Sequence, residues 1–290
     1  MVPLSCFAAD DGQLVGDNLV LFSQGLSPNA RLALGTAARH RSSLLVTTLR
    51  SDASGAEAGP GSSSPSATAE ARALVDAAER AGTVVVSHPP AEESGTLLRV
   101  AGPAVAAYVA ALLAAPRAER DDANLARVPD VVAGARARVA EACQALDAAR
   151  LCSNVVFVTG GCFGEAYHGP RWKWLEGLNV AEPPRWDVMQ VAHGAFQQLY
   201  DQRAVVVTFE HAGAPAETKL FDRLAEMLVP ARHALVRLPT ALPRHLALLE
   251  HDALVTELLL LALEHCPRDL CSWPAMGLDA PLYGIDEPLT

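Results

Sequence analysis

The sequence predicts an α/β protein with two tandem lobes, each a sandwich of helices around a parallel, flavodoxin-type sheet. Three observations predict this class. Short apolar runs of strand length alternate with longer helical segments, which is the pattern of parallel strands joined by crossover helices. The alternation stops at the charged stretch Pro116 to Asn124 and then begins again. Half of the 290 residues are hydrophobic, which is enough for one or two sizeable cores.

The first lobe is expected to span residues 1–120. Short apolar runs predict its strands at Asn18–Phe22, Ser43–Thr48 and Thr83–Ser87. Helical segments are predicted between and after them, at Asn29–His40, Ala71–Ala81 and Leu97–Ala115. Residues 51–69 are rich in Ser, Gly, Ala and Pro, and this composition predicts a mobile loop.

The second lobe is expected to span residues 121–266, followed by an extended tail at 267–290. Apolar runs predict its strands at Asn154–Thr159, Val188–Val191, Ala204–Phe209 and Ala234–Leu238. Helices are predicted at Val128–Ala149, Trp172–Asn179, Lys219–Leu228 and His245–His265. The tail contains several prolines, which is why we expect it to be extended.

Charge and hydropathy exclude several classes of partner. The net charge of −10 argues against a nucleic-acid partner, whose phosphates require clustered Lys and Arg. Apolar runs such as Leu258–Leu263 are far shorter than the roughly 20 residues of a membrane span. No basic segment followed by a long apolar run opens the sequence, so a cytoplasmic location is expected by default.

The six cysteines do not form a metal-binding or disulfide pattern. None of them belongs to a Cys-x-x-Cys pair, which is the usual spacing of zinc ligands. We therefore expect reduced, mostly buried thiols, and neither a metal nor a cofactor.

Short motifs follow one another in the order found in the sugar isomerase (SIS) family. Phe22 to Asn29 resembles the strand-to-loop motif Ser-Gln-Ser-Gly with a following Ser or Thr, shortened here by one serine. Val46-Thr47-Thr48 resembles the end of the family's second strand. Glu92 to Thr96 resembles the Glu-x-x-x-Thr segment that opens its long fourth helix.

The second lobe continues this series. Lys173 to Glu176 resembles the family's Leu-Lys-x-x-Glu helix, and Ala192-His193-Gly194 resembles its His-Gly-Pro turn. Gly277 to Pro281 resembles the Asp-x-x-x-Pro tail of double-SIS isomerases. The resemblance covers nearly the whole chain. The nearest architecture is the isomerase half of glucosamine-fructose-6-phosphate synthase, with a truncated first lobe.

The resemblance implies a sugar-phosphate isomerase or deglycase-type enzyme that binds a phosphorylated sugar between its lobes. In the family a helix glutamate moves a proton between adjacent carbons, and Glu176 stands at that position. His193 would assist ring opening, often from the partner subunit, so a homodimer is expected. The alternatives are an ordinary salt bridge between Lys173 and Glu176, and a turn histidine at position 193 that is bonded to backbone.

A phosphate site is expected at the loop after the first strand. The start of the following helix supplies backbone N–H groups and a favourable dipole. The residues expected to bind the phosphate or the sugar are Ser23, Gln24, Ser27, Thr47, Thr48, Thr96 and Trp172. The alternative is a capped helix, because Ser27-Pro28 is a good N-cap followed by proline.

Some residues depart from the family. No lysine follows Lys219, so the Schiff base that the synthase branch forms through a tail lysine is not supported. Trp172, one helical turn before Glu176, would narrow the pocket or stack on a sugar, whereas core or dimer packing is its alternative. Two other functions therefore stay open: an SIS module that binds or senses a sugar phosphate, and an SIS scaffold recruited to a different reaction in specialised metabolism.

Overall fold

The computed structural model describes residues 18–49, 65–88, 98, 100, 103–106, 108–109, 122–160, 168–240, 242–272, 274–275, 278 and 281. They fall into two compact units, one within residues 1–102 and 271–290 and the other within residues 103–270. The predicted lobe boundaries were 120/121 and 266/267. All described strand pairs are parallel, which confirms the α/β class.

A three-stranded sheet forms the first unit. Its strands follow one another in space in chain order: β1 (Asn18–Phe22), β2 (Ser42–Thr47) and β3 (Val84–Ser87). Two crossover helices connect them, α1 (Pro28–Gly35) and α2 (Pro65–Arg80). A short 3₁₀ turn, Ala37–Arg39, follows α1 where the sequence predicts a longer helix.

The helix α2 begins earlier than predicted. Its first residue, Pro65, lies inside the segment 51–69 that the composition predicts as a mobile loop, and residues 51–64 lie outside the described residues. Its apolar side packs Ala71 and Val75 into the same core as Leu26 and Leu45. This burial explains the helix better than its local composition does, because packing of an apolar face stabilises most helices in proteins.

A four-stranded sheet forms the centre of the second unit. Its spatial order is β5-β4-β6-β7, with β4 at Val155–Thr159, β5 at Arg185–Asp187, β6 at Ala204–His211 and β7 at His233–Thr240. The strand β4 and nearly all of β6 are buried, and such strands read as continuous apolar runs. The prediction of a strand at Val188–Val191 was wrong: the edge strand β5 ends at Asp187, and a 3₁₀ turn covers Gln190–Ala192.

Six helices of the second unit lie wholly within the described residues: α3 (Asp122–Ala133), α4 (Ala135–Ala142), α5 (His168–Leu178), α6 (Ala195–Tyr200), α7 (Pro215–Met227) and α8 (Arg244–His265). Residues 103–106 and 108–109 are also helical, within the predicted helix Leu97–Ala115. The sequence predicts one helix at Val128–Ala149, but the structure has two. They are divided at Gly134, because glycine is a poor helix former, and the second helix ends at Ala142. A 3₁₀ turn, Ala148–Cys152, leads into β4.

The long helix α8 is buried along much of its length and contacts α4 and α5. It also carries buried carboxylates, and each has a basic partner. Arg138 of α4 pairs with Glu250, and Lys173 of α5 pairs with Asp252 at 2.6 Å. These ion pairs fix α5 and α4 against α8. None of the described helices combines the length and hydropathy needed to cross a membrane.

The cysteines differ from the expectation. Cys152 and Cys266 form a disulfide across 114 residues of sequence, so the expectation of reduced thiols is wrong for this pair. The fold brings together the turn before β4 and the end of α8, which sequence spacing cannot reveal. Cys143 remains a buried thiol, and burial raises its pKa to about 11.

Candidate functional site

The Ser23–Ser27 loop connects the carboxyl end of β1 to α1. Leu26 has a left-handed backbone (φ 50°) and is fully buried, so it both turns the chain and anchors the loop in the core. Ser27 then caps α1: its hydroxyl accepts a hydrogen bond from the Ala30 N–H at 3.4 Å, and Pro28 follows in the first turn. The capped helix that was the alternative prediction is therefore present.

Thr47 and Thr48 fix this loop from the neighbouring strand. Their hydroxyls donate to the carbonyl oxygen of Gln24 at 3.0 and 2.9 Å, and the Thr48 N–H donates to the same oxygen at 3.2 Å. The Thr47 hydroxyl also accepts from the Leu49 N–H. The structure thus brings five predicted site residues together at one strand end, but it engages both threonine hydroxyls within the protein. Thr96 lies outside the described residues.

The outer side of the loop is open. Gly25 is exposed, and no atom lies within 4 Å of the position that a Cβ would take there. Arg31, which the sequence did not single out, donates from Nε to the Leu26 carbonyl at 3.0 Å and pairs with Glu70 at 3.2 Å. The guanidinium of Arg31 therefore lies at the loop, next to the start of α1, with Glu70 as its counter-ion.

Glu176 lies near the end of α5 and is half-buried. Burial raises its pKa above the ordinary value of a glutamate, because removal from water disfavours the carboxylate. Among the described residues no hydrogen bond or ion pair holds its side chain. A carboxylate in this state accepts protons more readily than a solvated one, which suits a general base.

Lys173 does not pair with Glu176, although the two are three residues apart on one helix. Its ammonium group is buried and donates to Asp252 at 2.6 Å and to Thr256 at 3.1 Å, both on α8. The salt bridge within α5 that was the alternative for Glu176 is therefore absent from the described structure. Lys173 holds the helix to the core and leaves the glutamate unpaired.

The two tryptophans of α5 point to different environments. Trp174 is fully buried and meets Phe157 edge to face, with ring centroids 5.9 Å apart. Trp172 is 56% exposed, so packing in the core of this unit is not its role. Residues four apart share one face of a helix, and Trp172 therefore lies on the same face as Glu176.

His193 follows the 3₁₀ turn Gln190–Ala192 and is exposed. Its backbone N–H donates to the Gln190 carbonyl at 2.9 Å, and Gly194 after it has a positive φ of 102°. The imidazole itself makes no hydrogen bond to the described residues, so the alternative of a ring bonded to backbone is absent there. No hydrogen bond joins His193 to Glu176 in the described part of the chain.

Sequence reasoning missed a polar cluster at the carboxyl ends of β4 and β6. It consists of Thr159, His211 and Glu217, each of which has a buried side-chain atom without a hydrogen-bond partner in the described structure. The available signal was weak: polar residues directly follow two apolar runs, and the carboxyl ends of parallel strands are where open α/β sheets bind ligands.

The fold is similar to that of several solved structures. A candidate phosphosugar isomerase from Salmonella typhimurium LT2 has a TM-score of 0.65 and 15% identity, over 95% of this chain and 80% of that one. Tagatose-6-phosphate ketose/aldose isomerase from Escherichia coli gives 0.59 and 14%, over 94% and 76%. The C-terminal domain of glucosamine-fructose-6-phosphate aminotransferase from Francisella tularensis gives 0.56 and 12%, over 92% and 77%.

The chain has the sugar isomerase (SIS) fold. The resemblance drawn from the ordered motifs is thereby confirmed at the level of the fold. No family model matches the sequence, and no curated protein matches it either. Identities between 12% and 15% establish the fold alone, so the reaction has to be argued from the side chains of this chain.

Proposed function

We propose that the chain is an isomerase or deglycase-type enzyme acting on a sugar phosphate, with Glu176 as its general base. The observation that carries the proposal is the state of Glu176: half-buried, raised in pKa and unpaired among the described residues. The buried carboxylates Glu250 and Asp252, by contrast, each have a basic partner. Glu176 also stands at the position where the motif resemblance places a base.

The base would move a proton between adjacent carbons of the open-chain sugar. Glu176 takes the proton from C2 of an aldose, and the electron pair of that C–H bond forms the double bond between C1 and C2. The carbonyl oxygen at C1 gains a proton, which gives an enediol. The 2-hydroxyl then loses its proton as the C2 carbonyl forms, which balances the proton gained at O1, and the electron pair of the C1–C2 double bond takes the proton back from Glu176 at C1. His193 is proposed to assist ring opening, from a partner subunit in a homodimer, because its exposed ring makes no bond to the described residues of its own chain.

The exposed face of Trp172 is proposed to contact the sugar. It lies on the same side of α5 as Glu176 and presents 56% of its surface. An aromatic ring at this place suits stacking against the C–H groups of a sugar face. The Ser23–Ser27 loop is proposed separately as the site of the phosphate, supported by the open space over Gly25 and by the charge of Arg31.

The test is exchange of a carbon-bound proton with solvent, at C2 of an aldose or at C1 of a ketose, followed by NMR in D₂O. The panel contains glucose 6-phosphate, fructose 6-phosphate, tagatose 6-phosphate and glucosamine 6-phosphate. We expect exchange with at least one of them, and a loss of roughly 10²- to 10⁴-fold in Glu176→Gln. The matched control is Glu226→Gln, which removes an exposed carboxylate from α7. Equal rates in the wild type and in Glu176→Gln would contradict the proposal.

A second candidate is a module that binds a sugar phosphate without converting it. It is favoured by the engagement of both Thr47 and Thr48 hydroxyls within the protein and by the absence of any lysine after Lys219. Saturable thermal stabilisation by a sugar phosphate, without exchange of a carbon-bound proton, would support this candidate. Exchange with any member of the panel would exclude it.

A further inference from the structure

The long helix α8 holds α5 at residues that come shortly before and directly after Glu176 in the sequence. Before the glutamate, Lys173 donates to Asp252 of α8 at 2.6 Å. Directly after it, Gly177 is buried, and a Cβ at this residue would lie 2.7 Å from the side chain of Leu259 on α8. Glycine here allows the two helices to approach closely. The position of Glu176 therefore depends on how α8 is held.

Arg268 holds the last turn of α5 from the segment that follows α8. Its Nε donates to the carbonyl oxygen of Leu178, the last residue of the helix, at 2.9 Å. The last four carbonyls of a helix have no donor within it, so they need partners from elsewhere. Asn179 then adopts a left-handed backbone (φ 51°), which ends the helix. The hydrogen bond of Arg268 is thus made two residues after Glu176.

The Cys152–Cys266 disulfide anchors the segment that carries Arg268. Cys266 is the residue directly after α8, and Cys152 lies in the 3₁₀ turn that leads into β4. Residues 266–270 form neither helix nor strand, and most of them are exposed. Such a segment loses its position readily when a covalent anchor is removed, because its hydrogen bonds compete with water. The disulfide is therefore one of the contacts that keep Arg268 at the end of α5.

A reductant can reach this disulfide. Both cysteines are partly exposed, and their neighbours Ser153 and His265 are exposed. A thiolate of a dithiol attacks one sulfur and breaks the S–S bond, and the second thiol of the dithiol then resolves the mixed disulfide. Two electrons and two protons pass to the two cysteines, which become thiols, while the dithiol becomes a disulfide. Exposed disulfides are the ones that exchange readily in this way.

We propose that Arg268 is a positioning residue for Glu176 and that the Cys152–Cys266 disulfide is its redox-sensitive control. In the oxidised chain the disulfide keeps Arg268 on the Leu178 carbonyl and holds the last turn of α5 in place. In the reduced chain this turn loses its anchor, and the Glu176 carboxylate is no longer fixed beside the reacting carbon. The reduced protein is therefore the less active form. This inference rests on the proposed role of Glu176 as the base.

The first measurement is proton exchange before and after treatment with dithiothreitol, a dithiol. Mass spectrometry after alkylation counts the free thiols in each state. We expect reduction to slow the exchange about tenfold, because displacing a catalytic group by even 1 Å costs on the order of 10²-fold in rate. Reoxidation should restore the rate. The double variant Cys152→Ser/Cys266→Ser should have the slow rate with and without dithiothreitol.

The second measurement does not depend on turnover. Burial raises the pKa of Glu176, and a carboxyl group whose helical turn loosens gains water, so its pKa should fall toward the ordinary value. A ¹³C NMR titration of the full chain with labelled glutamate carboxyls follows this group, and Glu176→Gln identifies its signal. The pKa should fall on reduction, and also in Arg268→Ala with the disulfide intact. Arg268→Lys, which retains a donor, should keep most of the wild-type value.

The matched control is Arg223→Ala, which removes an exposed arginine from α7 and should change neither the rate nor the pKa. Purified, air-oxidised protein without the Cys152–Cys266 disulfide would overturn the inference. Equal rates and equal Glu176 pKa values in the oxidised chain, the reduced chain and Arg268→Ala would overturn it too, because the disulfide would then only stabilise the fold.

Two outcomes separate this inference from other failures. If reduction unfolds the chain, Arg268→Ala with the disulfide intact decides the positioning role. If no sugar phosphate in the panel exchanges a proton, the proposed reaction fails, whereas the titration of Glu176 still decides whether Arg268 and the disulfide fix this carboxyl group.

Discussion

The two units end their parallel strands in opposite ways. In the first, the hydroxyls of Thr47 and Thr48 both donate to the carbonyl oxygen of Gln24, so the polar groups are paired within the protein. In the second, Thr159, His211 and Glu217 keep buried atoms without partners among the described residues. An unpaired buried polar atom costs about 1–3 kcal/mol. The first strand end therefore pairs its polar groups, whereas the second leaves buried polar atoms unpaired within the described structure.

The same difference occurs within one helix. On α5, Lys173 is buried and bonded to Asp252, while Glu176, three residues later, is half-buried and unpaired in the described structure. Pairing thus separates residues that hold the fold from residues that are available for chemistry. Both contrasts can be tested by removing one polar group at a time and measuring the free energy of unfolding or the rate of proton exchange.

The largest effect is expected at a paired group. Lys173→Met leaves Asp252 as a buried carboxylate without its cation, and breaking a buried ion pair in this way costs about 3–5 kcal/mol. We expect this loss in the free energy of unfolding measured by urea denaturation. The double variant Lys173→Met/Asp252→Leu should recover most of it, because no unpaired charge remains. A single variant as stable as the wild type would show that the pair contributes nothing.

An unpaired group should instead affect the rate. Glu176→Asp keeps the charge but withdraws the carboxylate by about 1 Å, and a displacement of this size costs on the order of 10²-fold in rate. The measurement is proton exchange with the substrate found in the panel, with Glu226→Asp as the control. An unchanged rate in Glu176→Asp would mean that Glu176 acts only through its charge and not as a base in contact with the substrate.

How much the sequence could predict depends on what each element buries. The strands β4 and β6 were located almost to the residue because they are continuous apolar runs. The edge strand β5 consists of Arg-Trp-Asp, has no apolar pattern, and was placed too late in the chain. Gly134 ended a helix that its neighbours' propensities would have continued.

The candidate site divides in the same way. Glu176 was found because a short motif carries it, but its lack of a partner depends on Lys173 turning to α8, which is a tertiary contact. Thr159, His211 and Glu217 have no characteristic spacing in the sequence. The pairing of β4 with β6 brings Thr159 and His211 to one edge of the sheet, and the Glu217 carboxylate on α7 lies beside Gly160, which follows β4. The Cys152–Cys266 disulfide was missed for the same reason.

The two strand ends can be compared directly by the same isosteric change. Thr47→Val removes a hydroxyl that donates to Gln24, so it should lower the free energy of unfolding by about 1 kcal/mol. Thr159→Val removes a buried hydroxyl without a described partner, so it should leave stability unchanged or raise it. Urea denaturation of the unliganded protein measures both. Equal losses in the two variants would show that the Thr159 hydroxyl is paired after all.

The smallest effect concerns the stability of Glu176→Gln and its dependence on pH. Burial raises the pKa of Glu176 in the folded chain, so the folded state holds this proton more tightly than the unfolded state. Below the unfolded pKa, about 4.3, the wild-type side chain is neutral in both states and Gln should have little effect. As the pH rises through the higher folded pKa, the wild type loses stability that Glu176→Gln does not lose. The variant should therefore be the more stable protein at pH 7, although it is inactive.

The rate of proton exchange in the wild type should depend on pH in the opposite direction from its stability. It should fall as the pH is lowered through the same pKa, because the base must be ionised. A Glu176→Gln protein that is less stable than the wild type at pH 7 would mean that the carboxylate is paired and structural.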